Sequence, residues 1–220
     1  MKMYYPFLPQ QPQYRQVEMN MMTVTGNGSV FVEPDTVRIQ LEVQTENESL
    51  SQAQQENANT MNQVFQALQN LGIPTENIQT TGFNITPMYD YIDGEQEFRG
   101  YQVTNTITVK VTNIDQAGNV IDTAVSNGVN RVSNIHFSIE DSQKYYQQAL
   151  SKALEDALAK AQTIANSMQL NLNPTPVKII EQINEPPVAY KTFAAAESSS
   201  TPIQPGQINI NAAVKVKFQY

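Results

Sequence analysis

Apolar and polar residues alternate through residues 36 to 46, where Val37, Ile39, Leu41 and Val43 interleave with Arg38, Gln40, Glu42 and Gln44. A period of two predicts a half-buried strand. Residues 23 to 32 predict an earlier strand interrupted by glycine and ended by Glu33-Pro34-Asp35. After residue 46 the period lengthens. Ser49 with Gln52 makes a capping-box pattern, and Leu50, Ala53, Met61, Val64, Phe65, Leu68 and Leu71 recur at helical spacing until Gly72 and Pro74 stop them. A long strand from about Ile78 to Ile92 sets Phe83, Ile85, Tyr89 and Tyr91 against Asn84, Thr86, Met88 and Asp90. Asp93-Gly94 is a strong hairpin-turn signal. The return strand spans about Phe98 to Thr112, with Tyr101, Val103, Ile107, Val109 and Val111 on one face and Thr104, Thr106, Thr108 and Lys110 on the other.

Ile114, Ala117, Val120, Ile121 and Ala124 then predict a short helix introduced by Asn113 or Asp115 and closed near Gly128, followed by a strand over Val132 to Ile139. Residues 36 to 139 therefore read strand, helix, strand, strand, helix, strand. That is the order of a ferredoxin-like βαββαβ unit in an α+β protein. Residues 22 to 35 with 140 to 220 remain for a second, discontinuous α+β subdomain. It takes the first strand, a long helix over Ser142 to Gln169, a strand near Val177 to Ile183 and a last strand over Ile208 to Phe218. Tyr146, Leu150, Ala153, Ala157, Ala161, Ile164 and Met168 form the expected apolar seam of the long helix, laid against a sheet. Residues 1 to 21 read as a disordered Pro/Gln/Tyr-rich tail and residues 184 to 206 as a linker or arm.

Composition removes several chemistries. The 220 residues include 13 Lys+Arg and 21 Asp+Glu, a formal net charge of -8, and no Cys. Without Cys there is no disulfide framework, zinc–thiolate site or thiol redox chemistry. A sequence pI near 4.6 argues against sequence-independent nucleic-acid binding, which needs Lys/Arg at phosphates. No run of 18 apolar residues predicts a transmembrane helix. The N-terminal stretch MKMYYPFLPQQPQYRQVEMNMM lacks the continuous apolar core of a secretory signal, which favours a cytoplasmic over an exported location.

Candidate sites are few. Gly26-Asn27-Gly28 lacks the third glycine of a dinucleotide loop, since Phe31 stands there, and reads as a bulge or a close crossing. His136 is the one imidazole; it shares a strand face with Asn134 and Ser138, and neither metal-ligand spacing nor a GxSxG elbow accompanies it. Nine acids and no Lys or Arg fall between Arg38 and Arg99. Around the hairpin turn, Tyr89, Asp90, Tyr91, Asp93 and Glu95 form a candidate protein-binding lobe for a basic partner. No catalytic, cofactor-binding or metal-ligating residues are assigned.

The segments VTGNGSVFVEPDTVRIQLEV, NIQTTGFNITPMYDY, GYQVTNTITVKV and ALEDALAKAQTIA, in that order, resemble the SIMPL domain family from about residue 22 to the C-terminus. The resemblance implies an α+β fold of two intertwined subdomains, a tendency to form homo-oligomers, and a stress- or envelope-associated role. It transfers no catalytic residues. The resulting expectation is a non-enzymatic, self-associating protein. Its rivals are an adaptor that uses the acidic lobe and a carboxylate-based hydrolase built around His136.

Overall fold

The computed structural model describes residues 20–182, 188–189 and 201–220. The predicted tail (1 to 21) and linker (184 to 206) lie largely outside that set. The protein is α+β, with two antiparallel four-stranded sheets and three helices. Its elements are β1 (Met21–Val32), β2 (Thr36–Asn47), α1 (Leu50–Asn70), β3 (Ile78–Ile92), β4 (Glu95–Val111), α2 (Ala117–Ser126), β5 (Arg131–Ser138), α3 (Ser142–Met168), β6 (Lys178–Gln182), β7 (Val188–Ala189) and β8 (Ile208–Gln219). The chain divides into two compact units, one of Ser29–Ala149 with Glu185–Asn211, the other of Met1–Gly28, Leu150–Asn184 and Ala212–Tyr220.

In the larger unit the strands lie in the order β3-β4-β2-β5, each neighbour antiparallel. The strand and helix succession is the one the periodicity predicts. Val37, Ile39, Leu41 and Val43 of β2 and Ile107, Val109 and Val111 of β4 face one core with Met61, Val64 and Leu68 of α1 and Val120, Ile121 and Ala124 of α2. The opposite face is polar. Its centre is nevertheless closed: Glu42 and Thr106 are each only 8% exposed, and Glu42 pairs with Arg131 at 3.5 Å.

The ends of α1 show which signals act. Ser49 makes no side-chain cap; the Asn47 side chain instead accepts from the Ser49 N–H at 2.9 Å. The expected capping box therefore does not form, because Asn47 reaches the entry of the helix first. The stop is as expected. Gly72 adopts φ 94, and the Ile73 N–H returns to the Leu68 carbonyl. Asn113 accepts from the Asp115 N–H and so caps the 3-10 turn Ile114–Gln116 that leads into α2, whose own N-cap residue, Gln116, makes no side-chain cap.

The helix α3, which enters the smaller unit at Leu150, presents Ala149, Ala153, Ala157, Ala161 and Ala165 as its buried stripe, spaced strictly by four. This corrects the expected seam. Tyr146 and Leu150 are half-buried, while Ile164 and Met168 are exposed, Met168 to 66%. Small side chains win that face because β1 comes too close for larger ones. A Cβ added at Gly26 would lie 1.9 Å from the Ala153 carbonyl oxygen and 2.7 Å from the Ala157 Cβ. The glycine is thus a close crossing, as its surroundings in the sequence suggest. Asp156 fixes the same place by accepting from the Asn27 N–H at 2.8 Å and from Lys160 at 2.6 Å.

Candidate functional site

The hairpin of β3 and β4 continues past its sheet as a two-stranded ribbon. Asp93 and Gly94 both have positive φ, 53 and 90, as a two-residue primed turn requires. Behind the turn the register pairs Ile92 with Glu95, Tyr91 with Gln96, Asp90 with Glu97 and Tyr89 with Phe98. Every residue from 89 to 99 is exposed. A two-stranded ribbon with neither face on a core is at best marginally stable by itself in water.

The base of the ribbon is anchored. Arg99 bonds Glu46 and lies 3.6 Å from Asp90, and Gln102 donates to Glu46 at 2.9 Å. The Gln102 hydrogen bond, then that of Arg99, holds the Glu46 carboxyl below its ordinary range. Gly100 admits no side chain, because a Cβ there would sit 2.8 Å from the Asn47 carbonyl oxygen.

Because side chains alternate, the register sorts the ribbon into two faces. Tyr89, Tyr91 and Phe98 share one, with Tyr89 and Phe98 in edge contact at 5.8 Å between ring centroids. Asp90, Ile92, Glu95 and Glu97 share the other. The five residues singled out in the sequence therefore do not converge. Tyr89 and Tyr91 lie on the aromatic face, Asp90 and Glu95 on the acidic one, and Asp93 at the tip. Phe98, Ile92 and Glu97 complete the faces, and the register of β4 against β3 assigns each to its side. Tyr91 is 75% exposed and Phe98 and Ile92 about half, an apolar display of the kind that marks interaction sites.

A second surface lies on the smaller unit. Lys178 of β6 stands directly opposite Lys217 of β8, and Ile180 opposite Lys215. With Thr23 of β1 these side chains line an open depression of about 510 Å³. None of the ion pairs among the described residues involves the three lysines. The Lys215/Lys217 spacing is visible in the sequence, but Lys178 joins them only through strand pairing.

His136 is exposed on β5, where it pairs across the strand with Arg38. Among the described residues, no group of three or more His, Asp or Glu side chains is arranged to hold a metal ion, and no helix is long and apolar enough to cross a membrane.

The fold and these surfaces define an α+β protein that displays an aromatic and acidic arm. The chain belongs to the SIMPL family, a family of proteins of unknown function (DUF541), whose profile matches residues 22–218. It is 29% identical over 211 residues to the 26 kDa periplasmic immunogenic protein of Brucella melitensis, covering 90% of this chain and 84% of that one. It is 24% identical over 202 residues to the uncharacterized protein YggE of Escherichia coli K12, covering 90% and 82%. The Brucella melitensis and Brucella abortus relatives are named as periplasmic proteins, which overturns the cytoplasmic location favoured by the N-terminal segment. The physical reason is that acidity and the lack of Cys suit a folded domain in either compartment, so the leader reading alone carried that expectation.

Proposed function

We propose that this protein is a non-enzymatic, self-associating SIMPL-domain protein acting outside the cytoplasm, in a stress- or envelope-associated role. The observation that carries the reading is the ribbon of residues 89–99, exposed on both faces and bearing Tyr89, Tyr91, Ile92 and Phe98. A partner surface supplies what a second sheet layer supplies elsewhere, namely burial of one face of the ribbon. The names of the Brucella relatives support the location. The family resemblance supports the stress or envelope role. The placement of His136 against Arg38, with no carboxylate bonded to it among the described residues, supports a role without catalysis over a carboxylate-based hydrolase.

Light scattering of the purified protein at high micromolar concentration tests self-association. Assemblies larger than one chain are expected, and a strict monomer overturns the reading. A second reading, an adaptor that captures a basic protein partner, is favoured by the acids on one face of the same ribbon. It predicts salt-sensitive binding to a basic peptide that is lost in a Glu95→Lys, Glu97→Lys double variant.

A further inference from the structure

Two surfaces of this chain each hold a like-charge pair, and of these four residues only Asp90 has an ion-pair partner among the described residues, Arg99 at 3.6 Å. On the ribbon, Asp90 and Glu97 lie directly opposite one another; on the smaller unit's sheet, Lys178 and Lys217 do the same. Like charges at directly opposed positions destabilise an antiparallel pair. Each is followed, two residues along, by a mixed row: Ile92 opposite Glu95 on the ribbon, and Ile180 opposite Lys215 on the sheet. Rows two residues apart are spaced by roughly 7 Å in any strand pair, and neighbouring strands by about 5 Å. The two surfaces are therefore two-by-two arrays of the same pitch. One carries three acids and an isoleucine, the other three lysines and an isoleucine.

We infer that the acidic face of the ribbon of one copy docks on the Lys178/Lys215/Lys217 depression of a second copy. The Asp90/Glu97 row then meets the Lys178/Lys217 row, and the Ile92/Glu95 row meets the Ile180/Lys215 row. Contact of these arrays gives Glu95, Glu97 and the three lysines opposite-charge neighbours and removes Ile92 and Ile180, both exposed in the single chain, from water. The occupant is a second copy because both arrays are present in every chain and match in charge, number and spacing. Such a contact joins unlike patches, so each copy offers one free ribbon and one free depression. Two copies can exchange these patches reciprocally across a two-fold axis, or successive copies can pass them on head to tail into a ring or a filament. This inference rests on the self-association reading and names its surfaces.

The test compares four samples of the full chain by light scattering at low and high salt: wild type, Glu95→Lys with Glu97→Lys, Lys215→Glu with Lys217→Glu, and an equimolar mixture of the two variants. All four positions are exposed, and circular dichroism with thermal unfolding verifies that the variants fold. Each variant alone is expected to associate about tenfold or more weakly than wild type, because its ribbon and depression then carry the same sign. The mixture is expected to recover assembly, since each ribbon finds an opposite depression on the other variant. A Lys215→Gln, Lys217→Gln pair is expected to fall between. Wild type that assembles equally well after lysine reversal overturns this inference and leaves self-association standing. Variants that are both monomeric but do not recover on mixing also overturn it. A wild type that never assembles overturns the underlying reading itself.

Discussion

Single residues decide where this chain tolerates no change. Gly26 has no space for a methyl group, and the obstacle is the Ala153 backbone carbonyl, which no rotamer change can move. Gly26→Ala is expected to cost about 3 kcal/mol, read as a lowered urea midpoint. Asn57 is buried on α1 and donates to the Val43 carbonyl at 2.8 Å and the Val103 carbonyl at 3.1 Å, tying the helix to β2 and β4. Its Oδ1 finds no partner among the described residues. Asn57→Ala should cost about 1–3 kcal/mol in the same measurement, since both carbonyls lose a donor in a dry site. Two carboxylates contribute to the response to acid. Asp156 is held below its ordinary value of 3.8, first by Lys160 and then by the Asn27 N–H, and Glu46 below 4.5 by Gln102 and Arg99. A carboxyl whose folded value is depressed contributes stability above its unfolded value and loses it as pH falls through the folded value. The unfolding temperature should therefore drop as pH is lowered from about 4.5. In Asp156→Asn the drop should be shallower: the variant is less stable than wild type at pH 7 and converges with it in strong acid.

At the scale of elements, the packing of α3 and the alternation of the sheets follow different rules. Strand alternation proved readable because the side-chain period is two wherever one face is buried, so Val37, Ile39, Leu41 and Val43 could be assigned to the core directly. The helix was harder. Its spacing places Ala153, Ala157 and Ala161 in the seam and continues it through Tyr146, Leu150, Ile164 and Met168, whose hydrophobicity favours burial. Approach distance keeps the alanines and continues the stripe to Ala149 and Ala165 instead: Gly26 brings β1 within contact of the helix backbone, and only alanine fits between them. Ala157→Leu is accordingly expected to destabilise by about 2 kcal/mol. Met168→Ala should change stability by no more than about 0.5 kcal/mol. Chemical denaturation of the two variants side by side checks the assignment, and the reverse ranking would overturn it. The cap of α1 shows the same limit. Ser49 and Gln52 have the right spacing for a capping box, yet Asn47, two residues earlier, takes the contact.

Over the whole molecule, a net charge of -8 is unevenly distributed. Nine acids without a base fall between Arg38 and Arg99, and three lysines gather on one small sheet face. Uniform negative charge would keep copies apart, whereas segregated charge attracts unlike patches at moderate salt. Assembly through such patches should weaken steeply as ionic strength rises, and sedimentation across a salt series checks this. Salt-independent assembly would point instead to the aromatic face of Tyr89, Tyr91 and Phe98.

The sequence by itself determined the α+β class, the succession of strands and helices apart from β7, which lies in the stretch read as a linker, the hairpin turn at Asp93-Gly94 and the candidate lobe around it. Each of these follows from local periodicity or from the φ preference of one or two residues. Tertiary structure alone decided that the buried stripe of α3 continues from Ala153, Ala157 and Ala161 to Ala149 and Ala165, because that depends on how near another strand comes. It also divided the lobe into an aromatic and an acidic face, since a register places Phe98 beside Tyr89 and Glu97 beside Asp90. Lys178 and Lys217 stand 39 positions apart in the chain, and only the pairing of β6 with β8 makes them one charged surface.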